Sequence, residues 1–478
     1  MKPHPQWAIA HKKPGTELRL IRGKYYLYKV HSRWNPKKGR AQKITGQMLG
    51  RITQEEGLIQ SKKRFHPESL QQMHVKEYGA SYLITTLFED TIRPLKKIFP
   101  QDWETLVGSA FCRLLYQSPL KNMDFHFSRS FLSNEYAQAS LSAKQIGAWL
   151  KVIGHQRDKI VQFFKAFIQA GEHMLMDVTP FHSKSSYLSL AKPGYNSQRN
   201  FDPQVNLMMM FSTKLSLPVY YRLLPGNIRD VKAFHHSLQE SGIHDAVLVV
   251  DKGFYSDTNV EQLDQAKLRY VLPLRRNSKD VNYKPLEQPK KMGLEGYFKH
   301  NNRYIWYYHY TFQNKIIYVF LDESLKQREE QDYLNRIETH PEEYSFEEFQ
   351  DKNTQFGTLA LLSNLKKHPK DIYATYKSRM AIETMANALK NILDADRHYM
   401  RDEEALEGWM FINHLALLWY YRLYQLIKQK DLLTQFSPQD LLLHLNEIRK
   451  IKIDQSWYLA EITSSTLKLL KQLGLHIT

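Results

Sequence analysis

Between residues 174 and 250 the chain alternates short apolar runs with polar turns. Residues 174–178, 205–211, 218–224 and 246–250 are too short for helices and are bounded by turn-forming residues, so they predict four strands. Residues 230–241 carry helical spacing, which gives the order strand, strand, strand, helix, strand. Asp177 falls in the first strand and Asp251 at the end of the fourth. Earlier in the chain, residues 18–21, 25–30 and 41–52 read as strands around an Asn35-Pro36 turn. Residues 82–88, 106–115 and 146–168 place apolar side chains three and four apart, as helices do. After Asp251 the alternation lapses for about a hundred residues. Residues 297–321 then form a dense aromatic, β-prone block, and helical sequence returns near Ile372 and runs to the C-terminus.

Charge adds a direction to this layout. The net charge is +18, and residues 1–64 hold 16 Lys and Arg against three Asp and Glu, a net of +13. So lopsided a distribution favours a polyanionic partner, and nucleic acid is the commonest, because each neutralised phosphate releases counterions. Cys112 is the lone cysteine, which excludes an intramolecular disulfide and a CxxC zinc site. The first residues lack the apolar core of a signal peptide, and a cytoplasmic, nucleoid-associated protein is the expectation. Residues 409–427 are apolar, but Asn413, His414 and Arg422 interrupt them, which fits a buried helix better than a membrane span.

The segment from Tyr376 to Lys390 carries the most chemistry. On one continuous helix, Tyr376, Arg379, Glu383 and Lys390 fall within about 60° of each other, opposite Ala381, Ile382, Met385, Leu389 and Ile392. One face then packs, and the other presents a carboxylate beside a phenol, a guanidinium and an ammonium. A plain surface helix with an Arg379–Glu383 pair has the same pattern. The functional alternative is a phosphate site, where an acid holds metal and cations hold backbone oxygens. Asp177 and Asp251 lie in apolar strands, where a carboxylate is costly unless it is paired or binds metal, although each is equally consistent with a strand-end cap. Three carboxylates without a thiol partner suit Mg²⁺ or Mn²⁺.

These residues resemble the DDE transposases of bacterial and archaeal insertion sequences. The likeness is to the family-four type with Tyr-x2-Arg-x3-Glu-x6-Lys, matched by Tyr376, Arg379, Glu383 and Lys390. Asp177-Val-Thr179, the block from Gly194-Tyr195 to Asn227 and Asp230, and Asp251-Lys-Gly253-Phe254 resemble its other motifs. The resemblance implies an α/β, RNase H-like catalytic core at 172–275 and 372–428, split by a β-rich insertion at 276–371. It would be preceded by a basic β arm at 1–66 and a helical region at 67–171, and followed by a helical C-terminus at 429–478.

It further implies that Asp177, Asp251 and Glu383 are the catalytic metal ligands for two ions, Mg²⁺ or Mn²⁺. Tyr376, Arg379 and Lys390 would contact DNA. The partners would be double-stranded DNA, as terminal inverted repeats and target, and a second copy of the chain in the synaptic complex. Trp306 in the aromatic block is a candidate for base stacking, with core packing as its ordinary role. Alternatives are a nuclease of the same fold without strand transfer and a catalytically silent DNA-binding protein. His173, His182, His235 and His236 lack metal-ligand spacing, while Lys184 and Arg199 are equally consistent with a DNA path and a solvated surface.

Overall fold

The computed structural model describes residues 4–35, 39–60, 73–168, 174–183, 185, 187–193, 202–227, 231–243, 246–249, 255–393, 397–398 and 400–477. The chain divides into two compact units, residues 1–75 with 451–458, and residues 76–450 with 459–478. The first is built on an antiparallel sheet in chain order: β1 (Thr16–Ile21), β2 (Lys24–Asn35), β3 (Arg40–Thr53) and β4 (Gly57–Gln60). Arg22 and Gly23 both have positive φ, the conformation that joins tightly twisted strands in a two-residue hairpin. Its core is small: Ala8, Leu18, Leu27 and Ile52, with Trp7, Tyr25, Leu49 and Leu58 packed against them.

The second unit opens with helices, of which the longer are α1 (Gly79–Leu87), α2 (Glu89–Ile98), α3 (Trp103–Tyr116), α4 (Ala143–His155) and α5 (Arg157–Lys165). A meander comes next: β5 (Met174–Ser183), β6 (Pro203–Ser212) and β7 (Leu217–Pro225), each antiparallel to its successor. After α6 (Val231–Ser241), β8 (Ala246–Val249) pairs parallel with the other edge of β5. After α7 (Asp257–Gln265), β9 (Arg269–Pro273) pairs parallel with β8. The resulting order β7-β6-β5-β8-β9 is the RNase H-like arrangement.

The lapse of α/β rhythm therefore begins later than Asp251: α7 and β9 continue the alternation to Pro273. Their signal was weak because α7 is largely polar and β9 is five residues long, although Tyr270, Val271 and Leu272 are fully buried. Likewise β6 reads as a continuous apolar run and not an alternating one, since both its faces are covered.

The aromatic block forms β10 (Gly296–His300), β11 (Arg303–Phe312) and β12 (Lys315–Asp322), an antiparallel set. Two helices, α8 (Glu323–Thr339) and α9 (Phe346–Lys352), precede β13 (Thr358–Ser363). β13 pairs with both β12 and β9, so the insertion extends the core sheet at its edge. Then come α10 (Pro369–Lys377), α11 (Arg379–Asn387), the two-residue β14 (Arg397–His398) on β5, and α12 (Glu403–Gln429). α12 is the helix of the apolar run at 409–427. It packs against α3, α4 and β7, and no described helix is long and apolar enough to cross a membrane. Its contact with α4 depends on two glycines: a methyl group at Gly154 would lie 1.8 Å from the Glu404 carbonyl oxygen, and one at Gly408 would lie 2.2 Å from that of Leu150. The C-terminal stretch holds α13 (Pro438–Glu447) and α14 (Ser464–Leu473). Between them lie two short strands, β15 (Arg449–Ile453) and β16 (Ser456–Leu459), which helical periodicity did not anticipate.

Candidate active site

Asp177 lies in β5, the middle strand of the five core strands, and pairs across to Met209 of β6. The β5–β6 register runs without a bulge from Met174 to His182, so Asp177, Thr179 and Phe181 project on one side of the sheet. β8 runs parallel to β5 with Leu248 opposite Met176, one residue before Asp177. Asp251 lies outside the described residues, as do Val250, Gly253 and Phe254, His173, Lys184, Gly194, Tyr195, Arg199 and Asp230.

Glu383 lies on α11, which packs against β5 and β6. Its side chain is 51% exposed and pairs with Arg379 at 2.8 Å, the intrahelical pair that the spacing allows. The Arg379 side chain is 21% exposed, and its Nε is buried without a hydrogen-bond partner among the described residues. Tyr376 is half-buried near the end of α10 and packs on the main core.

The segment is not the single continuous α-helix that a 100° spacing assumes. α10 ends at Lys377, α11 begins at Arg379, and residues Ala388–Ile392 form a π-helical turn. Such turns insert a residue into the helical ladder, rotate the downstream residues about the helix axis, and recur at functional sites. Here the turn carries Lys390, whose Nζ lies 5.2 Å from the centre of the Phe181 ring. Lys390 thus covers the side of β5 on which Asp177 projects, four residues along the same strand.

Arg113, which sequence reasoning passed over, anchors the end of this segment. Fully buried in α3, it donates to Asn413 Oδ1 at 2.9 Å, to the Gln117 and Ser118 carbonyls at 2.8 and 2.9 Å, and to the Leu393 carbonyl just after the π turn. An arginine inside an otherwise apolar helix was the available signal. Of the histidines, His235 and His236 pack edge to face on α6, while His182 sits near the end of β5. Among the described residues no group of three or more His, Cys, Asp or Glu gathers as a metal site. Trp306 lies on β11 beneath Lys291, whose Nζ is 4.0 Å from the ring centre, and against Tyr297.

The sheet has RNase H-like order, with Asp177 on its middle strand and Glu383 on a helix packed over that strand. Residues 169–419, just over half of the chain, match the family described as Transposase DDE domain, and the chain belongs to that family. No curated protein matches it. Among solved structures it is similar to the cryo-EM structure of a piggyBac transposase synaptic complex with hairpin DNA, with a TM-score of 0.35 and 12% identity. That likeness covers 61% of this chain, which spans about half, 54%, of the piggyBac chain.

Proposed function

We propose that this protein is a transposase of the family-four type, which cleaves DNA at transposon ends and joins the freed 3′ ends to target DNA. The supporting observation is the position of Lys390 over Phe181, which brings the Tyr376–Lys390 segment across the face of β5 that bears Asp177. Asp251 comes two residues after the described end of β8, and β8 is the neighbour of β5. On this reading Asp177, Asp251 and Glu383 form one acidic set.

Oxygen-only donors of this kind fit a hard divalent ion. These three residues would hold two Mg²⁺ or Mn²⁺ ions, which when bound activate the attacking oxygen and stabilise the leaving one. The chain's own residues supply position and charge. β5 holds the Asp177 backbone in register with Met209 of β6, one residue beyond the last residue paired with β8. Arg379, with one guanidinium nitrogen on Glu383, carries further N–H donors in its guanidinium fork that could meet a phosphate oxygen. Lys390 offers a point charge over the same strand face, and the Tyr376 hydroxyl offers a neutral donor. The net +13 of residues 1–64 supplies attraction to duplex DNA, and a second copy of the chain would hold the other transposon end.

The test is divalent-ion-dependent cleavage and strand transfer on a duplex carrying the inverted repeats that flank the gene. Asp177→Asn and Glu383→Gln are each expected to abolish both steps and to leave DNA binding intact. Cleavage retained in either variant would overturn the assignment of that acid. Cleavage without strand transfer by the unmodified protein would favour the nuclease alternative.

A further inference from the structure

Away from these acids, two basic side chains, His300 and Lys377, meet one aromatic ring, and a third, Arg303, stands across the hairpin from His300. The β10–β11 hairpin turns at Asn301 and Asn302, both with positive φ, so that His300 and Arg303 face each other across the strand pair. The His300 ring meets the buried Tyr373 ring edge-on at 5.2 Å, and Lys377 Nζ lies 5.2 Å from the centre of that same ring. Tyr373 is itself fixed by Phe298 and Phe320, at 5.3 and 5.0 Å. The acid facing this group, Asp322, is already engaged: it accepts from Arg303 at 2.6 Å and caps α8 through the Leu325 amide at 3.1 Å. Positive charge therefore exceeds negative charge in a half-buried corner. Burial first, and then the neighbouring Arg303 charge, hold Lys377 below its usual range. His300 is pushed down by burial and by Lys377 and Arg303. Such crowding is unfavourable until an anion enters.

We propose that His300, Arg303 and Lys377 form a phosphate-binding subsite, in which the insertion hairpin and the end of α10 together hold a phosphodiester of bound DNA. Lys377 precedes Glu383 by six residues, so the subsite would seat the strand next to the candidate catalytic helix. This rests on the reading that the protein handles DNA. None of the three residues belongs to the Tyr-Arg-Glu-Lys set.

The test is the salt dependence of binding to a random-sequence 30-base-pair duplex, measured by anisotropy with the full-length protein. Lys377→Met keeps the aliphatic stem against Tyr373 and removes the ammonium. It is expected to weaken binding and lower the slope of log K against log salt by about 0.9, the value for one phosphate contact. Lys377→Arg should restore the slope, and Lys377→Gln serves as a second neutral variant should the Met protein melt early. A folded neutral variant with the unmodified slope, or an Arg variant that fails to restore it, would overturn the subsite while leaving the transposase reading in place. Unmodified protein that binds no duplex would overturn both.

Discussion

Glu77 offers a measurable consequence of burial. It is fully buried ahead of α1, where its carboxylate accepts from the Ala80 amide at 2.6 Å, the Ser81 amide at 3.3 Å and the Ser81 hydroxyl at 2.7 Å. Those bonds and the Arg449 charge favour the ionised form, but desolvation outweighs them and the carboxyl is raised from 4.5 to about 7. The folded state therefore holds the proton more tightly than the unfolded state does. The resulting stabilisation is fully present below about pH 4.5 and is lost as pH rises through about 7. Between pH 5 and pH 8 the loss amounts to about 2.5 kcal/mol.

His414 works in the opposite direction. It is buried and pushed down to about 3, by desolvation first and the Arg157 charge second, so its contribution falls as pH drops below 6.5. The Glu77 term is isolated by comparing the unmodified protein with Glu77→Gln, which resembles the protonated acid, at each pH. Denaturant unfolding monitored by circular dichroism at pH 5, 6, 7 and 8 should show the stability difference moving by about 2.5 kcal/mol in favour of the Gln variant as pH rises. A difference that stays flat across that range would refute the reasoning.

Three further outcomes are expected. Arg157 joins α5 to α6 and α12 through Glu240 at 2.9 Å and Glu407 at 2.7 Å and donates to the Tyr221 carbonyl at 2.8 Å, so Arg157→Met leaves Glu407 without its cation and Glu240 with only Arg222 at 3.7 Å. It should cost about 3 kcal/mol in denaturant unfolding, and a loss under about 1 kcal/mol would show that the network is not stabilising. Asp251→Asn should abolish end cleavage and strand transfer together, with DNA affinity and melting temperature near those of the unmodified protein; retained Mg²⁺-dependent cleavage would return Asp251 to a capping role. Removal of residues 1–64 should weaken duplex binding and flatten its salt dependence, and an unchanged slope would locate the main phosphate contacts elsewhere.

Much of the core was determined by the sequence itself. β6 is buried nearly throughout and β5 and β7 each open with a buried apolar run, so the three stand out; α12 stands out for the same reason. The RNase H-like order and the DDE family accord with these runs and with motifs that are contiguous in the chain. Short or polar elements were not legible. β9 draws its burial from strands on either side, and the ends of α10 and α11 and the π turn of Ala388–Ile392 obey packing that no local periodicity encodes. Only the tertiary structure lays Lys390 over Phe181, ties Arg113 to Leu393, and draws His300 and Arg303 to a lysine more than seventy positions away. Helical and strand periods report which side of an element is buried; which distant side chains share that side depends on how the sheet is ordered and where its insertion re-enters.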